Sequence, residues 1–291
     1  MAQKDWEEVY DKLTATLSDS FNERFEQAVF FPSDSFQNPF DPYTSNLSAA
    51  QLQKEKPGQW IPIYKCEDLP KTFLERNMMP IRAGSAEFFL YHGNIFYDLD
   101  FHPFTPIDPK EIDPIETFVP ATLRADFQRN ENAYLNKAVA LGYINHFLES
   151  SDDIKVFEHE IETKRRKRLL YGQFGKIKMS KDLDFLTSRG SKTIRSGFLF
   201  EIDLVLENEE EIIIFEAKAT PKGSTSFSLL QLYYPLIYIR SILNESERHK
   251  KIRTVFIDIV SHPDTEVYRL IEFQFKDNCF DQWEVVKAFQ Y

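Results

Sequence analysis

Near the amino end Trp6, Val9, Tyr10, Leu13, Leu17, Phe21 and Phe25 recur at three- and four-residue intervals, which predicts an amphipathic helix. The stretch that follows, FFPSDSFQNPFDPYTSN, has turn formers and aromatics but no period, and reads as an ordered loop. Residues 60–66 and 80–101 read as β-structure, and EFFLYH, Gly93-Asn94 and IFYDLDF together predict a tight hairpin. Pro103, Pro106, Pro109, Pro114 and Pro120 then mark a linker, dividing the chain into a β-rich unit with an amino-terminal helix, 1–120, and a second unit, 121–291. In the second unit Ala133, Leu135, Ala138, Val139, Leu141, Ile144 and Phe147 predict a helix over 130–148. A strand is expected at 154–161, then a β-hairpin from the apolar runs 198–206 and 212–215. Phe227, Leu230, Tyr233, Tyr234, Ile237 and Ile242 outline a further helix, with Pro235 as a kink, and TVFIDIV at 254–260 is a buried strand.

The charges on the 198–219 hairpin carry the chemistry. Asp203 lies inside the first run, and Glu216 and Lys218 directly follow Ile212-Ile213-Ile214-Phe215. A run apolar at every position predicts a strand covered on both faces, so charges at its end sit at the rim of a core. Side chains two apart on a strand share a face, which pairs Glu216 with Lys218 and Glu201 with Asp203. Carboxylates converging with an ammonium suit divalent-metal chemistry on phosphate: magnesium prefers oxygen ligands, which Asp203, Glu216, Glu201 and the Ala217 carbonyl supply. Lys218 is placed to orient an attacking water or to offset charge growing on phosphorus.

Asp203, then Glu216-Ala217-Lys218 after a gap of twelve residues, resembles the bipartite motif of the PD-(D/E)xK nuclease superfamily, with Ile202 where the proline of the name would stand. The resemblance covers roughly residues 124–260. It implies an α/β fold: a mixed sheet in the restriction-endonuclease-like order helix, three strands, helix, strand. It further implies an acid on the first helix, matched by Glu131, which also suits the helix dipole at that position. In some branches a glutamine on the later helix approaches the site, and Gln231 fits; the tyrosine of those branches is Pro235 here. The implied activity is that of a type II restriction endonuclease: Mg2+-dependent hydrolysis of double-stranded DNA, as a homodimer that cuts both strands. A structure-specific repair or recombination nuclease, and a catalytically silent DNA-binding module, are the alternatives.

Charge refines this picture. The chain of 291 residues carries a formal -11, yet residues 163–197 hold eleven Lys or Arg against two Asp, a net +9 that leaves -20 on the remainder. Lys164, Arg165, Arg166, Lys167, Arg168, Lys176, Lys178, Arg189, Lys192 and Arg195 form a basic belt suited to a polyanion, the alternative for 164–168 being a solvated loop. Cys66 and Cys279 lack metal-ligand spacing, so no zinc site is expected, and the six histidines are scattered. The first residues are charged and no long apolar run occurs, which predicts a cytoplasmic protein with no membrane partner.

Overall fold

Ile212 to Phe215 form the first half of a strand that is apolar because both of its faces are covered. The computed structural model describes residues 75, 77–83, 88–112, 114, 131–149, 170–172, 175–261 and 265–291. In chain order its elements are β1 (Met78–Arg82), β2 (Phe88–His92), β3 (Phe96–Asp98), β4 (Thr105–Pro106), α1 (Glu131–Ala140), α2 (Tyr143–Glu149), β5 (Leu170–Gly172) and β6 (Gly175–Lys178). There follow β7 (Leu183–Thr187), β8 (Gly190–Ile194), β9 (Leu199–Ile202), β10 (Leu204–Glu207), β11 (Glu211–Thr220) and β12 (Ser226–Ser228). The chain continues through α3 (Leu230–Ile242), β13 (Lys251–Ser261), β14 (Glu266–Phe275) and β15 (Trp283–Gln290). The fold is mixed α and β.

A seven-stranded mixed sheet in the order β4-β15-β14-β13-β11-β10-β5 forms its frame. β11 runs antiparallel to β10, with Leu204 opposite Phe215, and parallel to β13, with Glu216 beside Phe256 and Lys218 beside Asp258. Alternation then divides the side chains. Ile212, Ile214, Phe256, Ile271 and Phe273 share a buried cluster with Leu232, Tyr233, Leu236 and Ile237 of α3. On the other face Ile213, Phe215, Ala217, Val255 and Ile257 pack with Tyr134, Leu135, Ala138, Ile144 and Phe147 of α1 and α2. Helices on both faces are what lets β11 be apolar throughout.

Several expectations are corrected. The helix over 130–148 is two helices, because Gly142 takes a left-handed conformation (φ 78°) that ends α1. The Gly93-Asn94 turn does not close a hairpin: β2 pairs with β1, and β3 pairs with β12. There the Gly93 amide donates to the Asn77 carbonyl and Asn94 Oδ1 accepts from the Phe96 amide, which steers the chain from one ribbon to the next. Phe227 belongs to β12, and α3 begins only at Leu230. The apolar run 198–206 breaks at Asp203: β9 leaves the large sheet to pair with β6, while β10 stays in it. Among the described residues, Met79, Ile81, Ile95, Phe96 and Leu99 lie in the α3-side cluster and β4 adds to β15. The amino-terminal helix, the strand over 60–66 and the strand over 154–161 lie outside the described residues. Among the described residues no helix is long and apolar enough to cross a membrane.

Candidate active site at the rim of the central sheet

The break at Asp203 places its carboxylate. Freed from a regular ladder position, Asp203 turns Oδ2 to accept the Ala217 backbone N–H at 2.8 Å. Glu216 emerges on the α3 face as β11 leaves the core, and it is only 4% exposed. Its Oε1 accepts from Gln231 Nε2 at 2.6 Å and lies 2.8 Å from Lys218 Nζ. Gln231 reaches it from the first turn of α3. Lys218 Nζ also lies 3.6 Å from Oε1 of Glu131, the first residue of α1. Asp203 from the break between β9 and β10, Glu216 and Lys218 from β11, Glu131 from α1 and Gln231 from α3 thus meet at one rim.

Three carboxylates face one ammonium there, a formal excess of two negative charges. Burial pushes the Glu216 carboxyl up to about 8 against the pull of Lys218, and Asp203 and Glu131 add to the rise. Burial also raises Glu131, opposed by Lys218 and by the Ala219 backbone N–H. Burial alone acts to lower Lys218, but Glu216, Glu131 and Asp203 outweigh it and hold the ammonium well above its usual value. The site therefore favours added positive charge.

The donor set fits a hard cation. Asp203 commits Oδ2 and Glu216 commits Oε1 within the protein, leaving Asp203 Oδ1 and Glu216 Oε2 for an outside partner. Among the described residues no three His, Cys, Asp or Glu side chains are gathered closely enough to cage an ion. Two carboxylates and a backbone carbonyl, completed by water, is the kind of incomplete set that magnesium uses beside a phosphate.

Glu201 is not part of this cluster. It is exposed on β9, opposite Lys176 of β6, because the break at Asp203 separates its strand from the one that carries the site. Of the basic belt, Lys164, Arg165, Arg166, Lys167 and Arg168 lie outside the described residues. Lys176, Lys178, Arg189 and Arg195 are exposed and Lys192 is half-buried, on the paired ribbons β6–β9 and β7–β8. Arg195 also meets Asp182 at 3.1 Å. A cavity of about 260 Å³ between α3 and the far ends of β13 and β14 is lined by Arg240, Lys251, Arg253, Gln274 and Asp277, and contains none of the rim residues.

Sequence reasoning missed Asp258 and Arg269. Asp258 is fully buried beside Lys218, and Arg269 is its register partner on β14. An acid inside the apolar run 254–260 carries the same signal as Asp203 inside 198–206, and it points to the same end of the sheet.

No curated protein and no solved structure matches the chain. A family model matches residues 99–291, a span that includes all five rim residues, and the chain belongs to that family, described as Domain of unknown function (DUF6997).

Proposed function

We propose that this protein is a magnesium-dependent deoxyribonuclease of the type II restriction kind, acting on double-stranded DNA as a homodimer. One observation carries the reading: Asp203, Glu216 and Lys218, set at the spacing of the PD-(D/E)xK motif, meet at the rim of a sheet together with Glu131 and Gln231. The order of the elements supports the finer fold assignment. α1, then β5, β10 and β11, then α3 and β13 follow the restriction-endonuclease-like sequence of helix, three strands, helix, strand, with β13 parallel to β11.

In this reading Asp203, Glu216 and the Ala217 carbonyl would hold Mg2+, which when bound would supply Lewis-acid polarisation of the phosphate and an activated water. Lys218, held by Glu216 and Glu131, places its ammonium where charge grows on the phosphoryl oxygens or steers the attacking water. Gln231 holds Glu216 in place by donating to its Oε1, which would leave Oε2 available to a cation. The exposed belt residues grip flanking phosphates.

The test is incubation of the purified protein with plasmid and long linear DNA, with and without Mg2+. Discrete, sequence-dependent fragments are expected, with a loss of about 10³-fold or more, equivalent to about 4 kcal/mol of barrier, in Asp203→Asn, Glu216→Gln and Lys218→Met. A smear would move the assignment to a repair nuclease. Binding without cutting would leave a DNA-binding module.

A further inference from the structure

Asp258 stands beside Lys218 in the parallel ladder yet is spent elsewhere. Its Oδ1 accepts the Ser224 backbone N–H at 2.8 Å, while Oδ2 lies 3.5 Å from Arg269 Nη1 with no hydrogen bond of its own. Arg269 sits over the Phe104 ring, 5.7 Å from its centroid, and its Nε also has no acceptor. A buried carboxylate compensated this loosely is a poor source of stability, since an apolar side chain of similar size commonly does as well. What Asp258 does hold is a loop.

Residues 221–225 join β11 to β12, and β12 leads directly into α3. The loop therefore lies between Lys218 and Gln231, two of the residues that meet on Glu216. Gly223 draws the backbone down onto the carboxylate: it has φ 79°, and a Cβ there would lie 3.0 Å from Val260 Cγ2 and 3.3 Å from Asp258 Oδ2. The loop's end is held separately, since the Leu99 amide donates to the Thr225 carbonyl at 2.9 Å, Ser226 pairs with Asp98 and the Leu229 amide donates to Ile95, so Asp258 holds the loop at Ser224, between β11 and that second attachment.

We propose that Asp258, held in place by Arg269, is a positioning residue that pins the 221–225 loop and so sets Lys218 and Gln231 against Glu216. Its kinetic consequence rests on the nuclease reading, whereas its structural consequence does not. Two measurements on the full chain keep the two apart: amide hydrogen exchange, and plasmid cleavage in Mg2+.

In Asp258→Val, exchange over 220–226 and in the first turn of α3 is expected to rise about tenfold or more, while the interiors of β11 and β13 stay protected. kcat is expected to fall about tenfold with KM within about twofold, the pattern of lost alignment rather than lost binding. Asp258→Asn, which keeps an acceptor for Ser224, should recover most of both. If Asp258→Val does not fold, Gly223→Ala disturbs the same loop from outside and should give the same exchange and kcat pattern. Unchanged exchange in the loop would overturn the proposal whether or not the protein cuts DNA. A loosened loop with unchanged kcat would overturn the positioning role. If the wild type cuts nothing, the nuclease reading fails, and exchange in the loop and the first turn of α3 still decides whether Asp258 sets the geometry.

Discussion

The two ends of β11 both carry buried charge, and they treat it in opposite ways. At the start of the strand Arg253 donates from Nε and Nη2 to the two oxygens of Glu272, each at 2.7 Å, and from Nη1 to Glu211 at 3.2 Å. Lys287 stands 3.8 Å from the same Glu272. Two cations answer two acids. At the far end Asp203, Glu216 and Glu131 share a single Lys218, and among the described residues Asp203 Oδ1 and Glu216 Oε2 have no hydrogen bond. Burial is similar at the centre of each group, with Arg253 5% and Glu216 4% exposed. Burial alone therefore does not distinguish the two groups; the unbalanced acid does, and raised carboxyls gathered at one rim are what mark a candidate functional site.

The largest expected effect is at the balanced end. Replacing Arg253 by alanine leaves the buried Glu272 and the half-buried Glu211 beside a cavity, and removing one partner of such a network costs about 3–5 kcal/mol. Urea denaturation should show this loss, and cleavage by the folded fraction should be unchanged. A cost below about 1 kcal/mol would mean that Arg253 is dispensable, and the contrast between the two ends would collapse.

How much of this was readable beforehand follows the same line. An apolar run with charge at its end is a local pattern, so Asp203, Glu216 and Lys218 stand out in the sequence. The placements of Glu131 and Gln231 came only from a resemblance. Glu201 was misplaced because strand continuity depends on the partner: β6, some 25 residues upstream, takes β9 out of the large sheet one residue before Asp203. The Gly93-Asn94 turn misled for a related reason, since its hydrogen bonds go to Asn77 and Phe96 rather than across a hairpin. β14 and β15 went unread although Leu270, Ile271 and Phe273 are buried, because β14 is sandwiched on both faces and shows little alternation.

A smaller effect is expected at the unbalanced end, and it has the opposite sense. The folded-state Glu216 carboxyl is raised from its ordinary value of 4.5 to about 8, so between those values the native protein holds a proton that the unfolded chain has lost. Stability contributed by this group is present below about pH 4.5 and declines as pH rises toward 8. Glu216→Gln removes that decline. In metal-free buffer the variant should therefore gain on the wild type by about 1–2 kcal/mol between pH 5 and 8, at a slope of at most about 1.4 kcal/mol per unit. Denaturation curves for both proteins across that range measure the difference. A variant that loses stability relative to the wild type as pH rises would show that Lys218 neutralises Glu216 fully, leaving no acid excess to explain.

The smallest effect on the fold, and the last test of the contrast, lies outside both clusters. A rim with an excess of acid repels a polyanion, so in the nuclease reading DNA has to be held by cations elsewhere, and Lys178, Arg189 and Lys192 on the ribbons β6–β9 and β7–β8 are candidates. Each phosphate neutralised on duplex DNA contributes about -0.9 to the slope of log affinity against log salt. Replacing all three by alanine should flatten that slope by up to about three units and weaken binding alike on every sequence. The exposed Lys178 and Arg189 should each cost no more than about 0.5 kcal/mol of stability, as for surface changes generally, the half-buried Lys192 somewhat more, and kcat at saturating DNA should hold. A salt titration of binding in Ca2+ makes the comparison. If the slope does not change, phosphate is gripped by other cations, with Lys164 to Arg168 the next to replace. If kcat falls while the slope holds, these residues act on the scissile phosphate itself, and the acid excess at the rim is then offset in part by the chain's own ribbons.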